Sequence, residues 1–314
     1  MIYNFTVLDE TRTAEVRALI DACEIRDGYP PRVQIDHRLN FRKDMDSWFL
    51  LYEEGRLEGF ASIFAPMADE GEIAICVAPD SRRKGIAGML LAAARNALWG
   101  VGDTAGDTGA GRARDTGYGA AGVSDGGVAG VSGAGAAVGR HLLVCDDRSA
   151  PGKAFASKVG AVPDHEERSL KLARQILWRH PDRLALREGG LSDIPAMTKV
   201  IAAAFGDPGE ETEAFARSSF ASGARRAFLG ALKGKIVATC FVTDEEGLLS
   251  VNTLAVSPDE QGRGYGMEFL CAVLDLIGRE HEILIDVDSG NVNAMRLYRH
   301  AGFDDVSVVG YYLL

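Results

Sequence analysis

The chain has 314 residues, enough for one large domain or two ordinary ones, and its 46% hydrophobic and 25% charged content is that of a soluble globular protein. A net charge of −11 speaks against a nucleic-acid partner and mildly favours a cationic one such as an amine. No run approaches the ~18 apolar residues that cross a bilayer, and the opening MIYNFTVLDETRTAEV lacks the basic and apolar segments of a signal peptide, so a cytoplasmic protein without a membrane role is expected.

The first third predicts a hairpin turning at Glu54-Gly55-Arg56, a strand over 72–77, a glycine-containing turn and a helix over 85–99. From about 100 to 140 the chain is nearly all Gly, Ala, Asp, Thr, Val and Ser, with neither a 2- nor a 3.6-residue period. Such a composition cannot bury enough apolar surface to offset its ordering entropy, and a disordered surface insertion is expected. A strand over 141–145 follows. Pro181 breaks the pattern and marks a boundary near 178–182.

Beyond it come a strand over 183–187 and an amphipathic helix over 192–205, opened by Ser192-Asp193 with Pro195 in its first turn. A second helix spans 210–221. Strands over 227–232 and 236–242 join at Lys233-Gly234-Lys235, and a third apolar strand covers 247–256. Then follow a long apolar helix (265–278), a strand (282–286), a short helix (291–300) and a last strand (305–314). The five cysteines, Cys23, Cys76, Cys145, Cys240 and Cys271, form no C-x-x-C pair and read as buried thiols. The six histidines have no ligand spacing, so no metal is expected.

Two stretches of this chain match each other. Ile75 to Ala87 (ICVAPDSRRKGIA) parallels Leu254 to Gly266 (LAVSPDEQGRGYG), with Pro79 and Gly85 each 179 residues before Pro258 and Gly264. A later pair, Gly160-Ala161 and Gly302-Phe303, is 142 apart. The 37-residue difference is close to the length of the glycine-rich tract, so one unit occurs twice and the first copy carries the insertion.

Gln261-Gly262-Arg263-Gly264-Tyr265-Gly266 lies between a strand and a helix. Glycines there let backbone N–H groups approach an anion, the helix N-terminus adds positive potential, and Arg263 adds a charge-assisted donor, so a pyrophosphate suits the turn. A dinucleotide fold also places an acidic residue about 20 positions on, as Asp286 is. The G-x-G-x-G spacing and the mid-domain strand argue against that reading.

Gln261-x-x-Gly264-x-Gly266 resembles the acyl-CoA pyrophosphate loop of the GNAT superfamily of N-acetyltransferases. Asn291-x-x-Ala294-x-x-Leu297-Tyr298-x-x-x-Gly302-Phe303 resembles its second signature. The likeness covers nearly the whole chain outside the insertion. It implies a mixed α/β fold of two such domains, 1–178 and 183–314, each a mixed, mostly antiparallel twisted sheet flanked by helices. It implies acetyl-CoA as co-substrate, held by Leu254, Val256, Gln261, Gly262, Arg263, Gly264, Tyr265, Gly266 and Asn291. Leu254 and Val256 would pair with the pantetheine arm, a backbone N–H near Leu254 would polarise the thioester, and Tyr298 would be the general acid. The acceptor would be a primary amine of a small molecule or peptide, in a cleft walled by the helices over 192–221 with the first domain as a further wall.

The family's usual glutamate base falls at Asn252, which cannot serve, and Asp288 before Gly290 reads as a turn residue. The first copy keeps Arg82-x-x-Gly85-x-Ala87, with Arg83 and Lys84 adding charge, but puts Ser149, Gly152 and Ala156 where Asn291, Ala294 and Tyr298 stand. It therefore lacks the acid, and a structural or substrate-shaping role is expected of it. Asn252 and the worn first copy keep open an acyl-CoA-binding regulatory module without turnover; a different acyl donor is a further alternative. Neither the acceptor's identity nor the oligomeric state is written in these motifs.

Overall fold

Alternating apolar strands and amphipathic helices repeat in the same order through both halves. The computed structural model describes residues 1–35, 37–68, 70–99, 139–174, 183–245, 247–278 and 281–314. The expected disordered insertion and the expected boundary between copies lie almost entirely outside these residues. The first half runs β1 (Ile2–Phe5), α1 (Glu10–Asp27), β2 (Trp48–Glu53), β3 (Arg56–Phe64), β4 (Glu70–Val77), α2 (Ile86–Trp99), β5 (Arg140–Asp146), α3 (Ala150–Lys158) and β6 (Val162–Leu172). The second runs β7 (Ala185–Glu188), α4 (Ile194–Phe205), α5 (Gly209–Ala221), β8 (Arg225–Leu232), β9 (Lys235–Glu245), β10 (Leu248–Val256), α6 (Tyr265–Ile277), β11 (Glu282–Asp288), α7 (Val292–His300) and β12 (Phe303–Leu313).

Strand alternation sends successive residues to opposite faces, and each face finds its own helices. In β8 and β9, Phe228 and Cys240 pack under α6 and α7, whereas Ala227, Leu229 and Phe241 pack under α4 and α5. In the first half, Ala61, Ile63 and Ile73 meet α2, while Trp48, Phe60 and Cys76 meet α1. All five cysteines are buried, and none is in a disulfide.

All twelve strands form one sheet, in the order β1-β2-β3-β4-β5-β12-β6-β11-β10-β9-β8-β7. That order contains an exchange. The last strand of the second half, β12, pairs with β5 of the first. The last strand of the first half, β6, pairs with β11 of the second. The two exchanged strands also pair with each other along most of their length, from Phe303↔Leu172 to Leu313↔Val162. Each half therefore borrows the strand that completes its sheet, and Leu170 of β6 is fully buried in the α6–α7 core.

Candidate active site

The parallel pairing of β10 with β11 covers only Leu248↔Glu282 to Val251↔Ile285. Beyond it β11 stays paired with β6 as far as Asp288, while β10 runs on to Val256 against β9. The sheet opens there, leaving one edge of β10 after Val251 unpaired toward β11. The first half has the same opening, since β4 and β5 pair only from Glu70↔Arg140 to Ile73↔Leu143.

The halves differ at the lip of the opening. In β10 the register against β9 shifts between Asn252↔Phe241 and Ala255↔Thr239, so Thr253 and Leu254 face the single residue Cys240. Thr253 sits at φ 53°, a left-handed conformation that costs a β-branched residue on the order of 1–2 kcal/mol. This is a β-bulge. It inverts the alternation: Val251 and Val256, five apart, both enter the α6–α7 core, while Ala255 faces α4. In the first half β3 and β4 pair without a shift from Gly59↔Val77 to Phe64↔Glu72, so that lip is flat.

Below the lip the glycine turns of the two halves share one shape. Gly262 and Gly264 have φ 72° and 83°, and their equivalents Arg83 and Gly85 have φ 68° and 88°. The side chain at the third position before the second glycine makes the same contact in each half. Gln261 Nε2 donates to the Val256 carbonyl at 2.9 Å, and Arg82 Nε to that of Val77 at 3.2 Å. Arg82 also grips Asp27 with both amino groups, at 2.8 and 2.6 Å, which commits its charge to α1. In the second half the turn leads directly into α6, whose first N–H groups have no intrahelical acceptor.

The expected site residues gather around this opening with distinct local duties. Val256 and Leu297 crowd Gly266, where a Cβ would meet Leu297 at 2.9 Å, so this glycine allows α6 to approach α7. Asn291 caps α7, accepting from Ala294 N at 3.0 Å; Ser149 does the same for α3. Arg263 is largely exposed and pairs with Glu260 at 2.7 Å, so its side chain leans back along the turn. Asp288 accepts from Gly290 N at 2.6 Å, a turn contact. Asn252 donates to Thr243 Oγ1 and to the Ser250 carbonyl, both at 3.0 Å.

Tyr298 is 6% exposed, in the α6–α7 core, its ring 6.3 Å from that of Phe303. Burial, with a smaller contribution from Cys240, pushes its phenol above the ordinary value. Cys240 is the residue opposite the bulge, and it shares the α6–α7 core with Tyr298 and the half-buried Leu254. The equivalent Ala156 is fully buried in the first half.

Arg183 belongs to the site although no motif contains it. Its Nε and backbone N–H bind Glu268 at 2.8 and 2.6 Å, its Nη1 reaches the Arg263 carbonyl at 3.2 Å, and its guanidinium lies 4.4 Å over the Tyr265 ring. The one signal in the sequence is Glu268 itself, a carboxylate in the apolar run of α6 that needs a cation when buried.

Fold and sequence repeat together define a tandem protein, with one copy of the same unit in each half. The chain belongs to the acetyltransferase (GNAT) family, whose model matches residues 13–104 and 194–303, once in each half. Across its full length it resembles a GCN5-related N-acetyltransferase from Sphaerobacter thermophilus, with TM-score 0.67, 16% identity and 95% of that chain covered. It likewise resembles a tandem GNAT protein from the clavulanic acid biosynthesis pathway, with TM-score 0.66, 13% identity and 98% covered. At these identities the likeness is one of fold. A 77-residue stretch, 24% of this chain, is 35% identical to the mycothiol acetyltransferase of Clavibacter michiganensis subsp. michiganensis (strain NCPPB 382), of which it spans 25%. The chain thus matches about a quarter of the length of that curated relative.

Proposed function

We propose that the chain is an N-acetyltransferase whose C-terminal half, 183–314, transfers an acetyl group from acetyl-CoA to a primary amine of a small molecule or peptide by direct attack. The observation that carries this reading is the bulge at Thr253 and Leu254, absent from the equivalent β3–β4 pairing, with Tyr298 in the core that Leu254 packs against. Bound acetyl-CoA supplies the acyl group as a thioester.

The chain's own groups suit that ligand. The N–H groups of the turn and of the head of α6, at 262–266, would hold the diphosphate, with Arg183 and Glu268 bracing the turn. The unpaired edge of β10 from Leu254 to Val256 would hold the pantetheine arm as an added strand. Released from the regular ladder by the bulge, the Leu254 N–H would stabilise charge developing on a carbonyl oxygen. Tyr298 Oη would supply the proton that a departing thiolate needs, a phenol being protonated at neutral pH. Asn252 takes no proton, so water or an amine arriving neutral meets that need. The first half, 1–178, keeps the turn but lacks the bulge and the phenol, and we assign it a structural and substrate-shaping role.

Thiol release from acetyl-CoA, followed against a panel of primary amines, tests this reading. Release that requires an amine is expected. Coenzyme binding with no turnover on any amine would leave a regulatory binding module instead.

A further inference from the structure

Two cysteines meet where the end of α1 lies on the end of β4. The sulfurs of Cys23 (α1) and Cys76 (β4) are 3.3 Å apart, and the Cys76 S–H donates to Cys23. Cys23 in turn donates to the Val77 carbonyl at 3.5 Å. That carbonyl also receives Arg82 Nε, and Arg82 holds Asp27, one helical turn beyond Cys23. Among the described residues the other three cysteines are engaged differently. Cys145 donates to the Asp146 carbonyl at 3.4 Å, Cys271 to Met267 Sδ at 3.8 Å, and Cys240 lies opposite the bulge.

The contact divides the two thiols into unlike partners. The hydrogen bond from Cys76 draws the Cys23 thiol below its ordinary value against the effect of burial, and Arg82 beside it adds to the pull. The same bond, with burial second, pushes Cys76 up. One sulfur gains thiolate character while the other keeps its proton, the division of labour that thiol oxidation needs. Cys23 and Cys76 are 1% and 4% exposed. A single helix covers Cys23, and its outer face is open to solvent at Glu24, Ile25 and Arg26. That helix ends at Gly28, only five positions on, so local opening of its last turn admits a molecule little larger than water.

We propose that Cys23 and Cys76 are an oxidative modification site, which hydrogen peroxide closes into a disulfide that staples α1 to β4. The Cys23 sulfur attacks one peroxide oxygen and the O–O bond breaks. The departing hydroxide takes up a proton and leaves as water, and Cys23 becomes a sulfenic acid. The Cys76 sulfur then attacks the Cys23 sulfur, the S–O bond breaks, and the hydroxyl leaves with the Cys76 proton as a second water. Two thiols give up two electrons and one peroxide accepts them. The sulfurs need approach by only about 1 Å. The new bond closes a loop across 53 positions. It also fixes the root of the segment after α1, whose Arg32 and Gln34 reach over to Asp286 and Glu245 of the second half. This chemistry does not depend on acyl transfer.

The test is treatment of the folded full chain with hydrogen peroxide, then alkylation of the remaining thiols in denaturant and tryptic mapping without reductant. The expected result is loss of two of the five thiols and a link between the peptides 18–26 and 57–82, reversed by dithiothreitol. The linked protein should melt about 5 °C above the reduced one. Cys76→Ser should form no link and should accumulate a Cys23 sulfenic acid that dimedone traps, whereas Cys23→Ser should take up no dimedone at Cys76. Absence of the link in the wild-type chain overturns the proposal, whether all five thiols survive or another cysteine is oxidised in their place; this map needs no variant to fold. Dimedone labelling of Cys76 in Cys23→Ser would overturn the assigned order of attack, and a link that leaves the melting temperature unchanged would overturn the staple.

Discussion

Ser169 and Asp286 face each other across β6 and β11, and the Ser169 hydroxyl donates to the Asp286 carboxylate although 117 residues separate them in the chain. The contact exists because each half lends its last strand to the other. A C-terminal half cut from the rest would lose β6, which pairs with both β11 and β12. The full chain is therefore expected to unfold in one calorimetric transition, and a fragment of residues 183–314 is expected to lack a cooperative transition. Two well-separated transitions in the full chain would show that the exchanged strands do not couple the halves.

Tyr298→Phe keeps the ring and its core packing and removes only the hydroxyl. The expected outcome is a fall in kcat of about 10²-fold with coenzyme A affinity unchanged, read from steady-state kinetics beside calorimetry. Turnover equal to wild type at every pH would take Tyr298 out of the chemistry.

Deleting Thr253 should yield a folded but inactive protein. Without it the sequence Val251-Asn252-Leu254-Ala255-Val256 alternates regularly, the left-handed residue is gone, and β10 matches the flat lip of β4. Stability is expected to hold or to rise by about 1 kcal/mol, while turnover is lost. Chemical denaturation together with an activity assay checks both halves of the statement, and an active deletion variant would show the bulge to be dispensable.

Two carboxyls should give opposite pH responses. The Arg187 guanidinium, aided by the Gly190 N–H, holds Asp193 down to about 2. Its contribution is present above the unfolded carboxyl value near 4 and fades as pH falls toward 2. Asp193→Ala, at the start of α4, should therefore cost about 1 kcal/mol at pH 6 and almost nothing near pH 2; Arg187 is half exposed, which limits the effect. Glu72, raised to about 8, acts in reverse: stability present at low pH is lost as pH climbs from about 4 through 8. Glu72→Gln should raise Tm at pH 9 by a few degrees and leave it unchanged at pH 4. Melting curves of both variants across pH 2–9 decide the matter.

Much of this architecture was legible in the sequence. The 179-residue offset between Gly85 and Gly264 placed two turns whose backbone angles agree within a few degrees, and the hairpins at Gly55 and Gly234 fell where glycine turns announced them. The strand exchange was not legible. β6 presents the same alternation to either neighbour, and partner choice is a long-range matter that no local pattern encodes. The bulge left one trace, the odd spacing of Val251 and Val256 on one face, which looks like noise until the register is known. Arg183 and Arg32 carry no motif because their partners are 85 and 254 positions away.

Isothermal titration of coenzyme A into the wild-type chain and into Gly264→Val tests the central claim most directly. Gly264 holds φ 83° at the head of α6, a conformation that a β-branched residue resists. The account predicts one site per chain for wild type and no detectable binding for the variant, with circular dichroism showing both folded. Undiminished binding by the folded variant, or no binding by wild type, would contradict it.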